Sequence, residues 1–254
     1  MKRLWLGLAA VVLTTAGAAA ADLPVKAPPL APVMVWNWSG FYVGVNVGYG
    51  WSAKTDPVTF MNNVGTIASS TAPAARGVFG GAQAGYNWQF NSIVFGIETD
   101  IQASGVSKSS SGIIDAGGDN LNAEQNLKYF GTLRGRLGYA AGPALLYVTG
   151  GLAYADIKNR FFLTNAAATS SADLGQDRTK TGYALGGGVE WMLAKSWSVK
   201  AEYQYLHFGN DAFAAPVVPP NGLTISSTAI SNNFHTVRLG LDYHFDWGPV
   251  VARY

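Results

Sequence analysis

The chain has 254 residues, of which 13% are charged, 13% aromatic and 31 glycine, with a formal net charge of +2. That glycine-rich, charge-poor mix is foreign to most soluble enzymes, and the absence of cysteine excludes a disulfide framework, cysteine-based metal or redox motifs and a lipoprotein's acylated cysteine. Beyond residue 21 no run approaches the ~20 apolar residues of a membrane helix, so a spanning structure would have to be a closed barrel, because only helices and barrels satisfy every backbone polar group in lipid.

Residues 1–21 read as a cleaved signal peptide. Met1-Lys2-Arg3 is a short positive start, Leu4 to Leu13 an apolar core, and Ala19-Ala20-Ala21 an A-x-A-like cleavage site. Its removal leaves fifteen bases against fifteen acids, and no basic patch with interleaved aromatics points to nucleic acid. Residues 22–37, with four prolines, form an extended periplasmic linker. The barrel is expected over 38–245, with a C-terminal extension over 246–254.

The first strand, Ser39 to Trp51, alternates Phe41, Val43, Val45, Val47 and Tyr49 with Tyr42, Gly44, Asn46, Gly48 and Gly50. A period of two means a strand. The second, Val78 to Phe90, points Tyr86, Trp88 and Phe90 outward and Gln83 and Asn87 inward; a short Asn91-Ser92 turn leads to the third, Ile93 to Gln102, where Phe95, Ile97 and Ile101 oppose Glu98 and Asp100. The fourth, Gln125 to Ala140, places Leu127, Tyr129, Leu133, Leu137 and Tyr139 outward and Lys128, Thr132, Arg134 and Arg136 inward. Gly142-Pro143 turns into the fifth, Ala144 to Asp156, both of whose sides are apolar. Thr181 to Phe208 is a hairpin across Ala194-Lys195-Ser196, its outer face ending in aromatics and its inner face carrying Glu190, Lys200 and Glu202. The eighth strand, Phe234 to Phe245, sets Val237, Leu239, Leu241, Tyr243 and Phe245 against Thr236, Arg238, Asp242 and His244.

Connections alternate long and short, so the long polar loops at Thr55–Ala75, Ser104–Asn122, Lys158–Lys180 and Gly209–Asn233 share one end. Short turns at one mouth, long loops at the other and an aromatic apolar face are the pattern of an outer-membrane barrel. The fold class is therefore all-β: an antiparallel up-and-down transmembrane barrel of about eight strands.

The inward parity collects Glu98, Asp100, Arg134, Arg136, Glu190, Lys200, Glu202, Arg238 and Asp242. An eight-stranded barrel is just wide enough for its own side chains, so these nearly balanced charges would meet as ion pairs and fill it. The alternative is a narrow polar channel, for which inward glycines of the first and sixth strands could leave room. The glycine runs Gly80-Gly81 and Gly186-Gly187-Gly188 sit inside strands with no helix start or lysine after them, and so ease curvature or accept rings; they do not cradle phosphate. His207 and His235 flank the fourth loop without a third metal ligand. Serines cluster in loops and none stands in a G-x-S-x-G frame. No catalytic residue, cofactor or metal site is expected; a lipid-modifying outer-membrane enzyme, which shows no local motif, is the remaining enzymatic reading.

Trp38-Ser39-Gly40-Phe41-Tyr42-Val43-Gly44, Phe95-Gly96-Ile97-Glu98-Thr99-Asp100 and Leu133-Arg134-Gly135-Arg136-Leu137-Gly138-Tyr139 resemble, in order, strands of a known family. Tyr147 to Tyr154, Lys200 to Tyr205 and His235 to Phe245 continue the series. The family is the small outer-membrane β-barrel proteins of alphaproteobacteria, labelled porin-like or opacity-type surface antigens. The resemblance covers Trp38 to Phe245. It implies an abundant Gram-negative outer-membrane protein contributing to envelope integrity and surface recognition, with outer-membrane lipid, lipopolysaccharide and the barrel-assembly machinery as partners and host or surface ligands reached through the loops. It also implies a terminal aromatic assembly signal, for which Phe245 and Tyr254 are both candidates. A low-conductance porin and a loop-based adhesin are the alternative functions.

Overall fold

The computed structural model describes residues 36–54, 58–61, 67–70, 74–113, 120–164, 171–218 and 223–245. Residues 1–35, which hold the expected signal peptide and most of the expected linker, and residues 246–254 with Tyr254 lie outside the described residues. Among the described residues every regular element is a strand: β1 (Gly40–Ser52), β2 (Val58–Met61), β3 (Ile67–Ser70), β4 (Arg76–Phe90), β5 (Ile93–Ile113), β6 (Asn120–Ala141), β7 (Ala144–Thr164), β8 (Ser171–Ala194), β9 (Trp197–Val218) and β10 (Leu223–His244). Neighbours pair antiparallel in the order β1-β4-β5-β6-β7-β8-β9-β10. β10 then closes on β1 over an unbroken register from Tyr42↔His244 to Ser52↔Phe234. The result is a closed eight-strand barrel, with the small β2–β3 hairpin added to β10 above the rim. Closure leaves no sheet edge in lipid, which is what the hydrocarbon demands.

In the lower part of the wall the apolar parity faces out: Val45, Val47, Ile97, Leu133, Val148, Leu185 and Leu239 are all exposed, while the opposite parity is buried in the lumen. β7, whose two sides are both apolar, settles the same way, with Leu146, Val148 and Leu152 outward and Tyr147, Thr149 and Ala153 inward.

Two expectations are corrected. First, the long polar stretches are not simply loops. β5 and β6 pair up to Ile113↔Asn120, β7 and β8 up to Thr164↔Ser171, and β9 and β10 up to Leu223↔Val218. Above the lipid a strand needs no apolar outer face, so Ser, Thr and Asn residues carry the ladder there and hide the strand from a search for amphipathic alternation. Second, Leu127 points inward, 1% exposed, and the Lys128 side chain points out, 44% exposed. The ladder slips between Leu127 and Tyr129 against β7, and between Ala103 and Val106 against β5. A bulge adds a residue and inverts the parity beyond it. Alternation extrapolated through the bulge therefore assigns both residues to the wrong faces.

That inversion marks a change of environment. Above it the interior becomes apolar, with Val106, Leu127 and Ile157 buried, and the exterior becomes polar, with Lys128 pairing Asp156 at 3.5 Å. The lower wall is built for lipid, the upper wall for water.

Candidate functional site

The lumen is the candidate site, and it is filled in layers. At the short-turn end Trp38 enters the mouth ahead of β1 and packs with Val94, Leu145, Tyr147 and Met192. Its amide donates to Gln89 Oε1 at 2.7 Å, and its ring stands edge-on to His244 with centroids 5.8 Å apart.

Above this plug lie the nine charged residues expected on the inward parity, each at most 5% exposed. They come from five strands and form one network. Arg134 on β6 donates to Glu98 and to Asp100 (3.0 Å) on β5, and to Glu202 (2.8 Å) on β9. Arg238 on β10 reaches the same three carboxylates from across the lumen, at 2.7 Å from Glu202, 3.1 Å from Asp100 and 3.2 Å from Glu98. Lys200 Nζ lies 2.7 Å from Glu98 Oε2 and 3.7 Å from Asp242 Oδ2. Arg136 turns towards the plug, 2.7 Å from Glu190 Oε2 and 4.1 Å over the Tyr147 ring. Two tyrosines and a glutamine complete the set: Tyr42 OH donates to Glu98 at 2.6 Å, Tyr147 OH to Glu202 at 2.7 Å, and Gln204 Nε2 to Glu202. Buried charge is tolerated when it is paired and its remaining lone pairs are satisfied; Glu98 meets four cationic side chains and a phenol.

A second apolar layer lies on the other side. Phe79, Phe130, Leu206, Phe208 and Phe234 are buried with Val106, Leu127 and Ile157, and Phe79 meets Phe130 edge-on at 5.1 Å. Over it Gln125 and Asn159 both donate to Asn232 Oδ1 at 3.3 Å.

Three further features mark the lumen. At two inward glycines an added side chain would meet a ring: a Cβ at Gly48 would collide with the Phe79 ring, and one at Gly188 would lie 2.8 Å from Tyr147 Oη. Close approach of rings is what the missing side chains permit. The two apolar plugs were also not foreseen, because inward apolar residues at the ends of strands read as irregularities in the alternation. Finally, not every serine is in a loop. Ser198 is buried beside Glu190 and His244, its Oγ 2.5 Å from Glu190 Oε1 and 2.9 Å from His244 Nε2. The same Nε2 lies 3.2 Å from Glu190 Oε1. One nitrogen facing both partners cannot take a proton from the serine while its other nitrogen leans on the acid, as a triad requires. Among the described residues no group of three or more potential metal ligands gathers. His207 and His235 face outward and do not stack on each other; both contact Tyr205.

A closed antiparallel barrel with an apolar lipid-facing wall and a polar, packed lumen defines an outer-membrane β-barrel protein. The family model for the outer membrane protein beta-barrel domain matches residues 6–245, and the chain belongs to that family. It is 38% identical to the 31 kDa outer-membrane immunogenic protein of Brucella melitensis, over 96% of this chain and 100% of that one. It is 32% identical to the 25 kDa outer-membrane immunogenic protein of Brucella abortus, over 96% and 99%, and 32% identical to the 22 kDa outer membrane protein of Rhizobium leguminosarum, over 82% and 86%. Among solved structures it aligns with Neisserial surface protein A at 15% identity and TM-score 0.40, covering 82% of this chain and 98% of that one. The protein is located in the outer membrane.

Proposed function

We propose that the protein is a closed, non-conducting barrel of the outer membrane that serves envelope integrity and displays a surface, without catalysing a reaction. The observation that carries this reading is the sequence of seals along the lumen: the Trp38 plug, the network around Arg134 and Arg238, and the layer around Phe79 and Phe130. An ion would have to displace an apolar plug at either end and break buried ion pairs between them. The nine-residue network acts as internal bracing, tying β5, β6, β8, β9 and β10 across the lumen. Lipid and lipopolysaccharide hold its outer face, and the assembly machinery reads Phe245, whose amide donates to the Phe41 carbonyl at 2.9 Å where the barrel closes. No nucleic-acid partner is assigned.

The test is single-channel recording of the refolded, heat-modifiable protein in a planar bilayer. A folded and silent barrel is expected. Reproducible unitary steps whose ion selectivity changes on Arg134→Gln would overturn the closed reading in favour of a low-conductance pore.

A surface-recognition role accompanies the structural one. It is favoured by the name "immunogenic" carried by the relatives and by the ordered strands that continue above the lipid-facing wall. Replacing 208–218 and 223–232 by a short turn should abolish binding to cells or matrix while leaving the heat-dependent gel shift intact.

A further inference from the structure

Above the lipid-facing wall the ladder parts between two strands. β8 and β9 pair up to Tyr183↔His207 and then separate. Two glycines make the parting: a side chain on Gly182 would run into the His207 carbonyl and the Phe208 backbone, and Gly209 takes a φ of +76°. Beyond it β9 stays with β10, from Asn210↔Ser231 upward, while β8 stays with β7 as far as Thr164↔Ser171. Over 171–182 no strand among the described residues pairs with the second side of β8. This stretch lies in water. Thr179 is level with Asp156, the partner of Lys128, and both Thr179 and Thr181 are exposed.

Alternation assigns the backbone groups on that side. The Met192 amide donates to the Pro143 carbonyl beside β7, and the β7–β8 ladder runs from there to Ser171 without a slip. Even-numbered residues of β8 therefore bond to β7, and the N–H and C=O groups of Asp173, Gly175, Asp177, Thr179 and Thr181 point to the open side. About 40 Å of strand edge is presented in this way.

The other open edges of the upper wall are blunted as native sheets blunt theirs. β3 is only Ile67–Ser70, and β5 is open only over 108–113, past the slip between Ala103 and Val106. β9 carries Gly209, Pro216 and three register shifts against β10. β8 has neither a proline nor a slip over 171–182, and its charged residues, Asp173, Asp177, Arg178 and Lys180, are of both signs, unlike the like-charged rows that keep edges apart.

We propose that β8 over 171–182 takes up an extended segment of another protein as an added antiparallel strand. The segment's backbone replaces water on the open N–H and C=O groups, which is recognition by strand addition. A second copy of this chain in the same membrane does not fit. Two barrels side by side share the membrane normal, so β8 would meet β8 in parallel, the less stable pairing. The edges that run the other way, β5 and β9, are blunted ones. The site is separate from 208–218 and 223–232, on which the recognition role above rests.

The probe is a fluorescent peptide copying residues 156–164 of β7, which in the fold pair with 171–179 of β8 and so carry a matching set of neighbours. Its anisotropy is measured against the refolded mature protein in nanodiscs, with empty nanodiscs as the blank. Saturable binding is expected. Gly175→Pro and Thr179→Pro each remove an N–H from the open side and leave the β7 ladder alone. Each should weaken binding about tenfold, while Gln176→Ala should not. N-methylation of one alternate set of peptide residues should abolish binding and of the other set should leave it, because an added strand uses one edge. Should the proline variants fail the heat-dependent gel shift, the N-methylated peptides carry the test. Replacing 208–218 and 223–232 by a short turn should keep peptide binding even where it removes binding to cells or matrix, so the two proposals fail separately. The absence of saturable binding, unchanged binding to both folded proline variants, or equal binding of the two N-methylated sets would overturn the proposal. Loss of peptide binding on the turn replacement would move the site off β8 and overturn it as well.

Discussion

Arg134 is one of two cations on which three buried carboxylates converge, since Glu98, Asp100 and Glu202 all accept from it. Replacing it with methionine of similar length would keep the volume but leave three carboxylates short of a partner, with Arg238 the remaining cation on Asp100 and Glu202 and one of three left on Glu98. Removing one partner of a buried ion pair costs about 3–5 kcal/mol. Arg134→Met should therefore lower the unfolding free energy by that amount in urea titrations of vesicle-inserted protein, and a loss under 1 kcal/mol would mean that water reaches the network. Gly48 tests packing in the other direction. A side chain there meets both the Phe79 ring and the Val237 carbonyl, so Gly48→Val should cost about 1–3 kcal/mol by overpacking. A neutral result would mean that the lumen has free space beside β1.

At the scale of the element, the bulge at Lys128 decides which part of the wall belongs to lipid and which to water. The chain contains no cysteine, so single cysteines report cleanly. Lys128→Cys should react with a membrane-impermeant maleimide on intact cells, while Leu127→Cys should stay unreactive until the barrel is denatured. The opposite order would mean that β6 runs straight and that Leu127 faces lipid. Much of each strand was legible beforehand: the parity of β1, β4, β8, β9 and β10 follows from the aromatic and β-branched residues on alternate positions. β6 was legible only from Tyr129 onward. A bulge leaves no compositional mark, and Leu127 and Lys128 fit either face until the slip against Ile157 and Asp156 is seen.

For the whole molecule, the closed reading proposed above rests on plugs at both ends of the lumen, so occlusion would be redundant. Trp38→Ala alone should leave the barrel non-conducting in planar bilayers, because the layer around Phe79, Phe130 and Phe234 still seals the upper lumen. Unitary steps from that single variant would show that the upper layer opens. The amino-acid sequence by itself determined that the chain is an antiparallel membrane barrel and that Glu98, Arg134, Glu202 and Arg238 share its inward parity, because lipid on one side of a strand imposes a period of two that residue types record directly. The tertiary structure decided which residues meet across the lumen: Tyr42 with Glu98, Phe79 in the space beside Gly48, Ser198 and His244 around Glu190, and the plugs above and below. Those contacts join strands far apart in the chain, and they depend on barrel diameter, strand stagger and a single bulge, none of which local alternation encodes.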